Sequence, residues 1–160
     1  RGIILGGWAK LSLELLRETV GDDDPLGLVA YAKERVLFVP QISQAWLFPR
    51  CAVLMIHAGL GTLQAAWLSG VPTVTWPVWI DQPRNSTLNV LLHESHGFGL
   101  LGLHETNPAS AAAVIRYATS EEAVAKARAM RLRVERDRGV QRAIEHFDQV
   151  LVHEARLSYS

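Results

Sequence analysis

The stretch Ala52-Val-Leu-Met-Ile-His-Ala-Gly-Leu-Gly-Thr62 decides the fold of this chain. Its first five residues form an uninterrupted apolar run. Such a run is typical of a central strand in a parallel sheet, because both faces of that strand are buried. Two glycines then break the run, and apolar residues at helical spacing follow over 62–68. The stretch therefore predicts a strand that leads through a short turn into a helix.

Short apolar runs and helical patterns alternate on either side of this stretch. Strands are predicted over 3–5, 36–39, 52–56 and 73–76, with a short extended piece over 97–100. Helices are predicted over 11–20, 62–68 and 83–94, a single helical turn over 45–50, and only helices after Pro108, over 109–118, 121–138 and 140–155. This alternation predicts βαβ units around a parallel sheet. We therefore expect one α/β domain over residues 1–160, with flanking helices and a helical C-terminal segment over about 108–155.

The composition excludes several classes of protein. The 160 residues carry sixteen basic and sixteen acidic side chains, so the net charge of +0 gives no reason to expect nucleic acid as a partner. The single cysteine, Cys51, cannot form an internal disulfide and gives no framework for a metal. A reducing compartment such as the cytosol is therefore expected. No apolar run reaches the roughly 18 residues that a membrane span requires.

The turn between the predicted strand and helix is suited to a phosphate. Ligands of open α/β sheets bind at the carboxyl ends of the strands, and a helix N-terminus offers unpaired N–H groups with a partial positive charge. Glycine at 59 and 61 lets the backbone approach an anion closely, while His57 and Thr62 can donate from their side chains. The alternative, left open here, is that these glycines only form the turn.

A second group of polar residues follows the next predicted strand. Asp81 and Gln82 come after the loop that begins at Pro77. A carboxylate accepts hydrogen bonds from sugar hydroxyls, and an amide both donates and accepts them, so the pair is suited to a hexose. The alternative is that Asp81 caps the helix that begins at Gln82-Pro83.

Five motifs, in this order and spacing, closely resemble the donor-binding signature of the UDP-glycosyltransferases that include sterol and plant natural-product glucosyltransferases. They are Trp46-Leu-Phe-Pro-Arg50, His57-Ala-Gly-Leu-Gly-Thr62, Gly70-Val-Pro72, Pro77 and Asp81-Gln82. The first of them looks more like the sterol branch than the plant branch. Arg1-Gly-Ile-Ile-Leu-Gly-Gly-Trp8 resembles the strand and loop before that signature, so the resemblance covers nearly the whole chain.

The resemblance implies a GT-B architecture of two Rossmann-like halves. This chain looks like most of the C-terminal, nucleotide-sugar-binding half, and Arg1 at the edge of a strand suggests a fragment shortened at its N-terminus. The family's general base is a histidine in the other half, so none of the six histidines here is expected to be catalytic. The family needs no metal and no cofactor besides the UDP-sugar donor. A cytoplasmic location is expected, and contact with a membrane surface is left open.

The resemblance also implies roles for particular residues. His57, Gly59, Gly61 and Thr62 would bind the diphosphate, and Asp81 and Gln82 the transferred hexose, which is expected to be glucose. Phe38 and Gln41 would lie beside the uridine, with Phe38 in the place where many members have a tryptophan. The acceptor would be a lipophilic alcohol such as a sterol, held by the missing half.

Three positions depart from the family pattern. Ile56 replaces the first of two adjacent histidines, Ala58 replaces a glycine, and Ala65 replaces the glutamate with which the plant branch binds ribose. Ala58 would crowd the diphosphate if its position required a positive φ. These departures leave open a degenerate, non-catalytic homologue that acts as a partner-binding subunit. A GT-B enzyme of another kind, such as an epimerase, is disfavoured by Asp81-Gln82.

Overall fold

The computed structural model describes residues 1–93, 96–97 and 107–158. The chain divides into two compact units, Arg1–Leu47 and Phe48–Ser160, and each is described by itself. The expectation that residues 1–160 form one domain stays a prediction. Among the described residues, no helix has both the length and the apolar character that a membrane span requires.

The first unit contains two parallel strands, three α-helices and a short 3-10 helix at Gly7–Ala9. Strand β1 (Gly2–Leu5) pairs with β2 (Val36–Val39) in a register that runs from Gly2 opposite Val36 to Leu5 opposite Val39. Between them lie helix α1 (Leu13–Val20) and helix α2 (Leu28–Arg35), and the short helix α3 (Gln44–Leu47) follows β2. Both strands lie where the sequence predicted them.

Helix α2 was not predicted from the sequence. The carboxylate of Asp24 accepts hydrogen bonds from the backbone N–H groups of Leu28 (2.7 Å) and Val29 (2.8 Å) and so caps the first turn. The capping residue precedes the helix by four positions, and Gly27 between them has a left-handed backbone (φ 63°). The acidic run before Pro25 was therefore interpreted only as a loop.

The second unit contains a three-stranded parallel sheet in the order β3 (Leu54–Ile56), β4 (Thr73–Thr75), β5 (His96–Gly97). Helix α4 (Leu60–Ser69) connects β3 to β4, and helix α5 (Gln82–His93) connects β4 to β5. The central strand β4 is buried along its whole length, and Val74 lies at the centre of the core with Ala118. This arrangement confirms the βαβ units expected from the alternating pattern.

The C-terminal part is helical, as predicted. Helix α6 (Pro108–Ala118) begins at a capping box formed by Asn107 and Ser110, and Ser120 caps helix α7 (Glu121–Asp137). Helix α8 (Gly139–Ser158) is the last described element. Helix α6 packs on strands β4 and β5, and helix α7 packs on helices α4 and α6.

The described strands pair in parallel, as expected. They form two parallel sheets, of two and three strands. Each strand is only two to four residues long, so each unit presents a short ladder of its own. The last part of the extended piece predicted over 97–100 lies outside the described residues.

Candidate functional site

The turn between β3 and α4 presents the N-terminus of a ten-residue helix. Gly59 occupies the N-cap position with an extended backbone (φ −66°, ψ 138°), and no side chain caps the helix. The N–H groups of the first helical residues, at Leu60, Gly61 and Thr62, have no acceptor within the helix. The helix end therefore combines free donors with the positive end of the helix dipole, which is the physical requirement for binding an anion.

The four predicted diphosphate residues around this helix end differ in exposure. His57 and Gly61 are exposed, whereas Gly59 and Thr62 are partly buried. A Cβ atom added to Gly61 would meet no atom within 4 Å. The fold therefore does not require glycine at position 61, and the open space above it lies beside the free backbone donors.

Ala58 has a positive φ, the condition under which it was expected to crowd the diphosphate. Its φ is 69°, a left-handed conformation that costs a residue with a side chain about 1–2 kcal/mol. None of its surface is exposed (0%), so the methyl group points into the protein. The strain is therefore present, but the methyl group does not occupy the solvent-exposed space in front of helix α4.

The loop between β4 and α5 is tied down by Gln82. The Oε1 atom of Gln82 accepts hydrogen bonds from the backbone N–H groups of Val78 and Trp79, both at 2.9 Å. A carbonyl oxygen has two lone pairs, and both are used in this way. The Nε2 group of Gln82 is therefore the part of this side chain that is still available to a sugar, and it can only donate hydrogen bonds.

The same loop contains a strained residue. Ile80 has φ 56° and is 74% exposed. A β-branched residue in this region is an outlier that persists only where the surrounding structure fixes the backbone, and such outliers cluster at binding sites. The two hydrogen bonds to Gln82 supply that constraint immediately before Ile80.

Asp81 lies directly before helix α5 and is exposed. Its Oδ2 atom accepts a hydrogen bond from the side-chain Nδ2 of Asn85 at 2.7 Å. The capping alternative predicts a bond to a backbone N–H of the first turn, whereas the partner observed is a side chain. The second carboxylate oxygen is thus available for a hydroxyl group, as the sugar-binding interpretation requires.

Asn85 was missed by the sequence analysis. Its Nδ2 donates to Asp81 Oδ2 and also to the backbone oxygen of Ala58 at 3.1 Å. It therefore connects the two loops that carry the predicted diphosphate and sugar residues. The only signal in the sequence is an amide four residues after Asp81, on the same face of the predicted helix.

One buried and one part-buried hydrogen bond attach helix α5 to strand β4 and to helix α4. The hydroxyl groups of Thr75 on β4 and Ser86 on α5 share a hydrogen bond of 2.8 Å, and both residues are buried. Trp67 on α4 donates from Nε1 to Asn89 Oδ1 on α5 at 2.9 Å. These two contacts attach helix α5 to its neighbours along its middle and C-terminal half.

The predicted uridine residues lie in the first unit. Phe38 is partly buried on β2, opposite Ile4 of β1, and Gln41 is exposed two residues after β2 ends. Their role stays a prediction. In the part of the chain that the structure describes, no group of three or more His, Cys, Asp and Glu residues could hold a metal ion.

Comparisons with known proteins point to one family. The chain is 33% identical over 147 residues to the sterol 3-beta-glucosyltransferase of Cryptococcus neoformans, an alignment that covers 89% of this chain and 9% of the relative. It is 34% identical over 108 residues to the O-mycaminosyltylonolide 6-deoxyallosyltransferase of Streptomyces fradiae, covering 67% of this chain and 25% of that protein. No family model matches the chain.

The fold is also found in a solved structure. A crystal structure described as the glycotransferase of kitacinnamycin matches with a TM-score of 0.60 and 24% identity, over 71% of this chain and 29% of that chain. At this identity the likeness establishes the fold alone. The chain thus has an α/β fold of the glycosyltransferase type, and it spans 9% of the length of the fungal relative.

Proposed function

Since this chain is a homologue of the sterol 3-beta-glucosyltransferases, we propose that it is the donor-binding part of an inverting glycosyltransferase that moves a hexose from UDP to a lipophilic alcohol. The observation that carries the proposal is the uncapped N-terminus of helix α4, beside exposed His57 and open space at Gly61. The acceptor class rests on the relatives, which are named for sterols.

The diphosphate of the donor binds at the start of helix α4. The backbone N–H groups of Gly61 and Thr62 and the ring of His57 donate to its oxygens. During transfer the bond between the anomeric carbon and the diphosphate oxygen breaks, and the bonding electrons leave with UDP. Donors fixed before the reaction stabilise this developing charge without reorganising, which lowers the barrier to transfer.

The hexose lies towards the start of helix α5. The free carboxylate oxygen of Asp81 accepts from one sugar hydroxyl, and the Nε2 group of Gln82 donates to another. The acceptor hydroxyl attacks the anomeric carbon from the opposite side and gives its proton to a base outside this chain. Transfer therefore requires a partner half that this chain does not contain.

The degenerate-homologue alternative rests on the departures at Ile56, Ala58 and Ala65, and the structure bears directly on Ala58. Its methyl group is buried, and its backbone keeps the conformation that a glycine would favour. The substitution is thus compatible with a nucleotide in front of helix α4. Among the described residues of the second unit, no contact favours the partner-binding alternative.

The test is a calorimetric titration of the chain with UDP, compared with His57→Ala. We expect saturable binding that the substitution weakens at least about tenfold, equal to about 1.4 kcal/mol. His146→Ala is the matched control, because His146 is an exposed histidine on helix α8. A folded chain that does not bind UDP, or a His57→Ala variant that binds as well as the control, would contradict the proposal.

A further inference from the structure

The side-chain amide of Asn85 occupies the junction between the two loops of the candidate site. It donates one hydrogen bond to the main chain of the first loop, at Ala58, and one to the carboxylate of the second loop, at Asp81. Both partners are oxygen atoms, so the amide nitrogen must face them, because the amide oxygen would be repelled by both. The two N–H groups of this amide are thereby fully used.

We propose that Asn85 is a positioning residue that holds the Asp81 carboxylate at a fixed distance from the diphosphate-binding turn. This inference rests on the proposed function. An exposed aspartate samples several rotamers, and fixing one of them before the ligand arrives reduces the entropy lost on binding. The bond at 2.7 Å to Asp81 Oδ2 selects one rotamer of this exposed residue and uses one of its two carboxylate oxygens.

The second hydrogen bond of Asn85, to the Ala58 carbonyl group, ties the fixed rotamer of Asp81 to the diphosphate-binding turn. Ala58 has a left-handed backbone, which the fold must stabilise, and its carbonyl group receives the amide hydrogen of Asn85 at 3.1 Å. The same side chain therefore restrains the turn that precedes helix α4 and the carboxylate that precedes helix α5. The distance between the sugar and diphosphate sites is set by one amide group.

The quantity that measures this role is the ratio of the dissociation constants for UDP and UDP-glucose. Asp81→Ala is expected to weaken UDP-glucose binding about tenfold relative to UDP binding, because it removes the sugar contact. Asn85→Ala is expected to weaken UDP-glucose binding about fivefold relative to UDP binding. The double variant is expected to match Asp81→Ala, because Asn85 acts on the sugar only through Asp81.

Asn89→Ala is the matched control. Asn89 is a buried asparagine one turn later on helix α5, and it accepts a hydrogen bond from Trp67. This variant is expected to lose stability but to keep the wild-type ratio. A purely structural Asn85 would behave like Asn89, with lower stability and an unchanged ratio, and that result overturns the proposal.

A second measurement does not depend on the folding of an Asn85 variant. In the 15N-resolved NMR spectrum of the Asp81→Ala chain, one of the two Nδ2 protons of Asn85 is expected to shift while the other stays in place. Equal signals in Asp81→Ala and wild type overturn the inference even if UDP binds. If the wild-type chain does not bind UDP, the proposed function fails, and this inference fails with it.

Discussion

The imidazole ring of His57 lies directly against the α-carbon of Gly59. A Cβ atom added to Gly59 would come within 2.6 Å of His57 Nε2, closer than side-chain atoms approach one another. The absence of a side chain at position 59 therefore allows the ring to lie where it does. The histidine and the helix N-cap form one unit, and a change at Gly59 acts on the site through His57.

Gly59→Ala is expected to weaken UDP binding about tenfold, because the ring of His57 must leave its place beside the helix N-terminus. The backbone of Gly59 is extended, so alanine can adopt it, and the loss of stability is expected to stay near that of an ordinary N-cap replacement, about 1 kcal/mol. Calorimetry and thermal unfolding measure the two effects. If the double variant with His57→Ala binds UDP much more weakly than His57→Ala alone, the effect does not act through the ring.

Gly61→Ala distinguishes an effect on ligand binding from an effect on the stability of the fold. The added methyl group meets no atom within 4 Å, and alanine is a better helix former than glycine, so the stability of the chain should not fall. The methyl group would occupy the space in front of the helix donors, and we expect UDP affinity to fall about fivefold or more. Unchanged UDP affinity would place the diphosphate elsewhere.

Ala58→Gly tests whether the alanine damages the site. Relief of the left-handed strain gains about 1–2 kcal/mol. The loss of a buried methyl group costs about 0.8 kcal/mol, and the greater freedom of glycine in the unfolded chain costs about 0.5–1 kcal/mol. These effects nearly cancel, so we expect a change in the free energy of unfolding below about 1 kcal/mol and UDP affinity within about threefold of wild type. A large gain in affinity would instead support the degenerate homologue.

Gln82 should act on its loop and on the sugar through different atoms. Gln82→Glu keeps an oxygen for the N–H groups of Val78 and Trp79, whereas Gln82→Leu does not. Hydrogen exchange at these two amides is therefore expected to stay slow in the first variant and to become at least about tenfold faster in the second. Both variants lose the Nε2 donor and should bind UDP-glucose less well relative to UDP. Slow exchange in Gln82→Leu would show that other contacts hold the loop.

The thiol of Cys51 should react slowly. Burial raises its pKa above the ordinary value, so less of the reactive thiolate is present near neutral pH. Alkylation by iodoacetamide at pH 8 is expected to be slower in the folded chain than in urea. Equal rates of alkylation in the folded chain and in urea would contradict the raised pKa.

Because the pKa of Cys51 in the folded chain exceeds that in the unfolded chain, this group contributes to stability below the ordinary pKa. The contribution is lost as the pH rises through the folded value.

The sequence by itself determined the elements that carry the candidate site. An apolar run broken by glycine is visible in the chain, and so the strand at Leu54–Ile56 and the helix after it were predicted within a few residues. The motif around His57 likewise indicated the family, which the similarity to sterol 3-beta-glucosyltransferases supports. These features depend on local patterns, which a sequence records directly.

The tertiary structure alone decided how those elements are joined. The bond from Asn85 to Ala58 spans 27 positions, and no pattern along the chain records it. The hydrogen bonds that use both lone pairs of Gln82 depend on how the loop folds back, and Asp24 caps α2 across an intervening left-handed glycine. The first contact forms only when separate segments meet, and the local ones form only when the backbone turns back on itself, because a hydrogen bond requires a set distance and direction.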